Sequence, residues 1–178
     1  KVPYSANYTG RASSTNPNTW CVFDRAIDEY RRHPEYYNGI GLIITRDSGI
    51  IFIDVDHCIT DDGEYSETAT DIIQMFSNQY IELSQSGCGI HILTKGLIPH
   101  NVKNSEEGIE LYCEKRFMAM TGNTISDGEP TDKQSEVDTL FNRYKSPDII
   151  VKPPKTRNSA LRNSDKWVIS HAREHGEF

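Results

Sequence analysis

The chain of 178 residues is long enough to bury one hydrophobic core and fits a single domain with a short appendage. No apolar run approaches the roughly 20 residues that a membrane-spanning helix needs, and residues 1–14 do not have a signal-peptide pattern, so we expect no membrane partner. The four cysteines are widely spaced and form no Cys-x-x-Cys pair, which argues against a zinc site of that type and against a small disulfide-rich scaffold. We therefore expect reduced thiols in a cytoplasmic protein. Because the first residue is Lys1 and not Met, we also expect the sequence to be a fragment of a longer protein.

The formal net charge of −7 is unlike that of most proteins that bind nucleic acids. Its distribution is more informative than its sum. Eight acidic residues and no lysine or arginine lie between Asp54 and Glu82, which leaves the remainder of the chain close to neutral. The stretch from Val151 onward is mildly basic. The acidity is therefore local and surrounds the stretch that carries the clearest chemical signal.

The first 32 residues predict an extended arm followed by a helix. Residues 1–14 are polar and contain proline and glycine, which is typical of a loop. A turn and cap signal at Asn16 is followed by aromatic and apolar residues at helical spacing, so we expect a helix that ends near Arg32. The residues with this spacing are Trp20, Phe23, Ile27 and Tyr30.

Two apolar runs follow, residues 41–45 and the run that begins at Ile50. The polar turn 46–49 between them predicts an antiparallel hairpin. The second strand ends in two carboxylates, Asp54 and Asp56. Because successive side chains of a strand point to opposite faces, these two acids lie on one face.

Carboxylates at this spacing can lean together and bind the paired divalent ions of a phosphoryl-transfer site. Hard oxygen ligands suit Mg²⁺ and Mn²⁺, so Asp54 and Asp56 predict a metal site at the strand end. The alternative is a polar strand end that runs into the acidic turn at residues 61–63.

Residues 84–89 form a serine- and glycine-rich loop between two predicted strands. Glycines allow backbone N–H groups to approach an anion closely, as phosphate-binding loops do. In the strand that follows, Ile90 and Ile92 alternate with His91, so the imidazole faces away from the core. A histidine placed behind such a loop favours a phosphate contact, although a single histidine is more often structural.

A later alternating stretch, residues 108–113, turns Glu110 to the opposite face from its apolar neighbours. Glu110 is the candidate for a third metal-binding carboxylate. Arg116, in the turn before the next strand, is the candidate for a phosphate contact through its planar fork of donors. Both residues are equally compatible with the surface of a two-faced sheet.

The C-terminal third predicts a helix capped by Thr131, then a proline-containing linker over residues 146–163, then a short amphipathic helical segment over residues 164–178. The apolar residues of the first of these helices are Val137, Leu140, Phe141 and Tyr144.

Taken together, these stretches resemble the archaeo-eukaryotic primase (AEP) superfamily, in its phage and plasmid primase-polymerase (PrimPol) branch. That family has an Asp-x-Asp strand, a Ser-x-His strand and a third strand with an acidic residue. Here the corresponding residues occur in the same order, and the resemblance covers roughly residues 1–125. They are Asp54-Val55-Asp56, Ser86-Gly87-Cys88-Gly89-Ile90-His91 with Ser84 before it, Glu110, Arg116 and Thr121-Gly122.

The resemblance implies an α+β fold with a mostly antiparallel, RRM-like sheet flanked by helices. It implies a catalytic core over residues 1–145 that lacks a preceding strand, and a C-terminal helical module that begins near residue 164. The implied activity is metal-dependent synthesis and extension of primers on single-stranded DNA in a phage or other mobile element. The implied partners are template, primer, NTP or dNTP, and a helicase domain in the parent protein.

By position, the resemblance assigns Asp54, Asp56 and Glu110 to two catalytic Mg²⁺ or Mn²⁺ ions. The family more often has Asp where Glu110 stands. The nucleotide phosphates would contact Ser84, Ser86, Gly87, His91 and Arg116.

Two alternative functions are compatible with the sequence. In a phosphatase of the haloacid dehalogenase type, Asp54 would attack phosphorus directly, but that fold requires a doubly wound parallel sheet. In a non-catalytic binder of single-stranded DNA, the aromatic and basic residues would carry the function.

Overall fold

The computed structural model describes residues 2–7, 10–145 and 167–171, and for the last segment the backbone alone. Within these residues the protein is α+β, with three helices and two sheets in which every pair of neighbouring strands is antiparallel, as predicted. The helices are α1 (Phe23–Arg32), α2 (Glu67–Met75) and α3 (Gln134–Tyr144). The strands are β1 (Val2–Tyr4), β2 (Gly39–Ile44), β3 (Ile50–Val55), β4 (Tyr80–Leu83), β5 (Ile90–Lys95), β6 (Val102–Asn104), β7 (Ile109–Tyr112), β8 (Arg116–Met120), β9 (Thr124–Asp127) and β10 (Trp167–His171).

The chain forms two compact units. The first unit comprises Lys1–Ile44, Lys115–Met120 and Arg157–Phe178, and the second comprises Thr45–Glu114 and Thr121–Thr156. The linker predicted over residues 146–163 lies outside the described residues. All four cysteines are free thiols, as expected from their spacing. No helix in the described ranges is long and apolar enough to cross a lipid bilayer.

The first unit contains a four-stranded sheet in the order β1-β10-β2-β8. Helix α1 ends at Arg32 as predicted, but its buried residue is Ala26, whereas Phe23 is 45% exposed. Trp20 lies before the helix, where its buried indole N–H donates to the carbonyl of Ser13 at 2.6 Å. Trp20 is therefore a core residue that lies outside the helix, and Phe23 lies on the helix but is not buried.

Strand β10 corrects the prediction for the C-terminal segment. Residues Trp167–His171 are a strand and not the predicted helix, and this strand pairs with β1 on one side and β2 on the other. The two β-branched residues Val168 and Ile169 suit a pleated strand, and two open strand edges provide hydrogen-bond partners that a short helix would lack. Residues 164–166 and 172–178 lie outside the described ranges.

The predicted hairpin of β2 and β3 is also wrong, because the two strands belong to different sheets. A single turn of 3₁₀ helix at Arg46–Ser48 and a left-handed Gly49, with φ of 65°, redirect the chain between them. In addition, β3 is paired on both edges, by β5 and β7, and so has no edge left for β2. Arg116, expected in a turn, is the first residue of β8 and pairs with Ile44.

The second unit contains a six-stranded sheet in the order β6-β7-β3-β5-β4-β9. One face of this sheet packs with α2 and α3 into the main hydrophobic core. Its fully buried members include Ile53 of β3, Ile90 and Ile92 of β5, Ile109 and Leu111 of β7, Ile72 of α2, and Val137 and Leu140 of α3. Ser66 caps α2, since its Oγ accepts from the N–H of Ala69 at 3.1 Å. Helix α3 begins at Gln134, so Thr131 is not its cap.

Close packing of β2 against β8 gives a test of the first sheet. A Cβ atom on Gly41 would lie 2.0 Å from Cε2 of Phe117, so Gly41→Ala should lower the free energy of unfolding by about 1–3 kcal/mol through overpacking. Urea unfolding of Gly41→Ala, Phe117→Ala and the double variant measures this. The loss in the double variant should be smaller than the sum of the two single losses, because removing the ring relieves its contacts with the new Cβ and leaves the one with the carbonyl oxygen of Met118 at 2.6 Å. Strictly additive losses would contradict the pairing of these two strands.

Candidate active site

A row of polar side chains crosses the second sheet. Asp54 on β3 lies directly opposite His91 on β5 and Glu110 on β7, and the row continues to Glu82 on β4 and Lys103 on β6. Residues directly opposite each other in antiparallel strands point to the same face. We call Lys103, Glu110, Asp54, His91 and Glu82 the polar row. It lies on the face opposite the core, because Ile53 and Val55, which flank Asp54 along β3, are core residues.

Asp54 stands at the centre of the polar row and is only 9% exposed. Its Oδ1 lies 3.8 Å from Nε2 of His91. Asp56 directly follows β3 and is exposed. Its N–H donates to the carbonyl of Gly108 at 2.8 Å, so the pairing of β3 with the β7 side continues to this residue. Strand alternation therefore keeps the Asp56 side chain on the face of Asp54.

The His91 ring is 3% exposed and is held on two sides. Its Nδ1 lies 2.9 Å from Oε1 of Glu82, and the ring of Phe52 packs against it with 5.0 Å between ring centroids. The imidazole therefore directs Nδ1 to Glu82 and Nε2 toward Asp54.

Glu82 has no exposed surface, and sequence reasoning did not identify it as a site residue. Its carboxylate accepts hydrogen bonds from the Tyr80 hydroxyl at 2.7 Å and from the N–H groups of Thr121 and Gly122 at 3.0 and 2.9 Å, in addition to His91. Burial by itself would raise the pKa of this carboxyl, but the hydrogen bonds from His91, Tyr80 and the two backbone N–H groups outweigh burial and lower it. The available signal was an acid within a short strand whose neighbours Ile81 and Leu83 are apolar.

Glu110 is buried, and both of its oxygens have donors. Lys103 donates to Oε1 and the Tyr112 hydroxyl donates to Oε2. Lys103 was not identified from the sequence, although its side chain is 63% exposed on the site face. A cation that binds Glu110 must therefore compete with the ammonium group of Lys103.

The serine- and glycine-rich loop closes the hairpin of β4 and β5. Ser84 donates its N–H to the carbonyl of Gly89 at 2.8 Å, and Gly87 adopts a left-handed φ of 77°. The hydroxyls of Ser84 and Ser86 lie 3.0 Å apart. A Cβ on Gly89 would lie 2.7 Å from the carbonyl oxygen of Val55, so only glycine allows the loop to pack this closely against the end of β3.

The second unit thus brings together most of the residues that the sequence singled out. Asp54, Glu110 and His91 lie on one face of one sheet, Asp56 follows the end of β3 beside Gly108, and the loop that carries Ser84, Ser86 and Gly87 packs against the end of β3. Arg116 belongs to β8 in the first unit and is not part of this sheet.

The oxygen ligands at Asp54 and Asp56 are of the type that Mg²⁺ and Mn²⁺ prefer. As the described side chains stand, no group of three or more His, Cys, Asp or Glu residues is arranged to hold a metal ion. A cation that binds Glu110 would meet the positive charge of Lys103 on the same carboxylate. The residues present therefore fit a divalent ion at the two aspartates, with rearrangement at Glu110.

The direction of the strands in the second sheet also tests the phosphatase alternative. A phosphatase of the haloacid dehalogenase type requires a parallel sheet, whereas β3 pairs antiparallel with both of its neighbours. The geometry around Asp54 therefore argues against that alternative.

The pKa of Glu82 predicts how stability changes with pH. Because its pKa is lower in the folded than in the unfolded chain, its stabilising contribution is present above the ordinary value of 4.5 and is lost as pH falls through the folded value. At pH 7, Glu82→Gln should lower the free energy of unfolding by about 1–3 kcal/mol, and the difference from wild type should shrink below about pH 4. Urea unfolding between pH 3 and 7 measures both curves. A difference that stays constant over this range would contradict an ionised Glu82.

Comparison with known proteins gives a distant relationship. No protein-family model matches the chain. Over 185 aligned residues that cover the full chain, it is 28% identical to a protein named DNA primase-polymerase from Nitratiruptor phage NrS-1. The chain spans about a quarter of the length of that protein. The similarity supports a primase-polymerase relationship, in agreement with the resemblance of the motifs, while membership of the wider superfamily stays a prediction.

Proposed function

We propose that this chain is the nucleotidyl-transfer part of a DNA primase-polymerase, which joins nucleotides along a single-stranded DNA template in a metal-dependent reaction. The observation that carries the proposal is the meeting of Asp54, Glu110 and His91, from three separate strands, in one row on one face of a sheet. Similarity along the whole of this chain to about a quarter of a protein named DNA primase-polymerase supports it.

In this proposal Asp54 and Asp56 hold Mg²⁺ or Mn²⁺, and Glu110 adds a ligand when it releases Lys103. When bound, the ions would lower the pKa of the attacking 3′-hydroxyl and stabilise the negative charge on the leaving pyrophosphate. The chain itself positions the ligands. The spacing of two residues between Asp54 in β3 and Asp56 directly after it sets the separation of the two aspartates, and pairing with β5 and β7 fixes the direction of Asp54.

The nucleotide triphosphate would lie between the polar row and the loop at residues 84–89. His91 would meet a phosphate oxygen through Nε2, the ring nitrogen not engaged by Glu82. The hydroxyls of Ser84 and Ser86 and the backbone at Gly87 would donate hydrogen bonds to other phosphate oxygens. Arg116 is proposed as a further phosphate contact from the resemblance alone.

Local charge gives the proposed reaction a strong requirement for cations. The acidic stretch from Asp54 to Glu82 repels a nucleotide that carries several negative charges, and divalent ions offset this repulsion. The proposed partners are template, primer and nucleotides, with a helicase domain in a longer parent protein as the resemblance implies.

The alternative of a non-catalytic DNA-binding domain depends on aromatic residues that can stack on bases. Trp20, the first aromatic residue of the predicted helical stripe, is buried and donates its indole N–H to Ser13. Trp20 is therefore not available for stacking on a base, whereas Phe23 of the same stripe is exposed.

Removing the charge of Asp54 tests the proposal directly. Asp54→Asn should lower nucleotide incorporation at least about a hundredfold, because the amide is a poor ligand for the divalent ion and does not offset its charge. The assay combines protein, single-stranded template, labelled nucleotides and Mn²⁺ or Mg²⁺, with and without primer. Asp71→Asn is the matched control, since Asp71 is an exposed residue of α2, which packs on the other face of the sheet.

Asp71→Asn should incorporate nucleotides at the wild-type rate. The urea concentration at the midpoint of unfolding should be at least as high for both variants as for the wild type. Undiminished synthesis by a folded Asp54→Asn chain would contradict the proposed function.

Competition between Lys103 and a divalent ion for Glu110 gives a second test. Lys103→Met should bind Mn²⁺ about twofold to fivefold more tightly, because the ion no longer displaces an ammonium group whose largely exposed ion pair is worth about 0.2–1 kcal/mol. Electron paramagnetic resonance of free Mn²⁺, without nucleotide, measures the affinity. Lys133→Met is the control, because Lys133 pairs with Glu136 at the start of α3. Equal or weaker Mn²⁺ binding by Lys103→Met would show that Glu110 is not a ligand.

A further inference from the structure

An open cavity of about 440 Å³ lies in the first unit, at the start of helix α1. That volume is within the range of pockets that bind small organic ligands, roughly 300–1,000 Å³. The polar part of its lining is Asn7, Asn18 and Arg25, and the apolar part includes Pro17 and Val22. All of these residues belong to the first unit, so the proposed nucleotidyl-transfer site in the second unit does not account for the cavity.

The guanidinium group of Arg25 is anchored on one side. Its Nε donates to the carbonyl of Ala6 at 3.1 Å. Among the residues that the structure describes, no carboxylate forms an ion pair with Arg25, whereas Arg32 of the same helix pairs with Glu29 at 3.2 Å. The N–H groups of both Nη atoms can therefore donate to an anion in the cavity, and a guanidinium presents two of them side by side to the oxygens of a phosphate.

Two amide side chains give the cavity hydrogen-bonding groups of both kinds. Asn7 donates from Nδ2 to the carbonyl of Trp20 at 2.7 Å, which orients the amide and leaves Oδ1 as an acceptor. Within the described part of the chain, the side-chain amide of Asn18 forms no hydrogen bond, so it can both donate and accept. Pro17 and the 42% exposed Val22 add apolar surface. A flat ring with donors and acceptors along its edge, such as a nucleobase, matches this combination.

The charge of the cavity distinguishes between kinds of nucleotide. A nucleoside triphosphate carries several negative charges, which one guanidinium does not offset, and it usually binds with a divalent ion. No aspartate or glutamate lines the cavity to hold such an ion. A DNA strand carries one negative charge per nucleotide, which matches the single charge of Arg25.

We propose that this cavity binds one nucleotide of single-stranded DNA, with Arg25 on the phosphate and the amides of Asn7 and Asn18 on the edge of the base. The choice of ligand rests on the proposed nucleotidyl-transfer function, because template-directed synthesis requires a bound strand. The cavity is then a DNA contact in the first unit, in addition to the site at the aspartates of the second.

The first measurement is the affinity for a fluorescently labelled oligo-dT strand, by anisotropy in EDTA without nucleotide. Arg25→Gln and Asn18→Asp should each weaken binding about fivefold to tenfold, by removing a donor to the phosphate or by placing a negative charge beside it. Arg31→Gln is the matched control, because it causes the same change in net charge at an exposed residue of α1 that does not line the cavity. The control should change the affinity less than about twofold.

Asn18→Asp keeps the test decisive where Arg25→Gln does not fold, since Asn18 is exposed and the described chain gives its side chain no hydrogen bond to lose. Salt dependence separates a phosphate contact from a structural effect. Arg25→Gln should reduce the slope of log Kd against the logarithm of salt concentration by about 0.7, the contribution of one phosphate of a single strand. A structural defect would weaken binding without this change in slope.

An abasic strand of the same length tests the contact with the base. Asn18→Ala should weaken binding of oligo-dT about threefold, because a hydrogen bond to the base is lost, and should leave the affinity for the abasic strand unchanged. Equal weakening with both strands would overturn the assignment of Asn18 to the base.

Primer extension distinguishes a DNA strand from a free nucleotide as the ligand. Arg25→Gln should raise KM for the primed template and leave KM for dATP unchanged. A raised KM for dATP with wild-type DNA affinity would overturn the proposal, as would wild-type affinity in Asn18→Asp or equal effects of Arg25→Gln and Arg31→Gln. Absence of incorporation by the wild-type chain would overturn the proposed function, and anisotropy without metal or nucleotide would still decide whether the cavity binds DNA.

Discussion

The pairing of β3 with β5 on one edge and β7 on the other is the constraint on which the proposed site depends. The register of strand pairing changes only in whole residues, and a shift of one residue turns every side chain of the strand to the other face. Ile51, Ile53 and Val55 are buried against the helices and cannot be turned out to solvent without a large loss of apolar burial. The hydrophobic core on one face therefore fixes the register that places Asp54 opposite His91 and Glu110 on the other.

Electrostatics explains why the polar row has the composition that it has. Asp54 and Glu110 lie directly opposite each other, and like charges at that separation destabilise a sheet. Lys103 offsets the charge on the Glu110 side, and the His91 ring lies on the other side of Asp54, anchored by Glu82. Charged or polar partners thus flank Asp54 on both sides, and in the proposed function the carboxylates of Asp54 and of Asp56, which follows β3, are the oxygen ligands of the divalent ion.

Much of this site could be predicted from the sequence because its signals are local. Alternation along residues 50–56 indicates which face Asp54 and Asp56 share, and the same logic applies to His91 and Glu110. The predictions that failed depend on pairing between strands that are far apart in the sequence. Nothing near β2 and β3 indicates that they join different sheets, and the strand character of Trp167–His171 depends on partner edges elsewhere in the chain. Glu82 and Lys103 were missed for the same reason: their roles come from strands that are adjacent in space and not in sequence.

The most direct measurement is a crystal structure of the protein soaked with Mn²⁺ and a non-hydrolysable nucleoside triphosphate, with the ion located by its anomalous scattering. The account predicts a peak about 2.1 Å from carboxylate oxygens of both Asp54 and Asp56, with a phosphate oxygen near Nε2 of His91. Mn²⁺ bound elsewhere with these two aspartates unliganded, or a triphosphate on the helical face of the sheet, would contradict it.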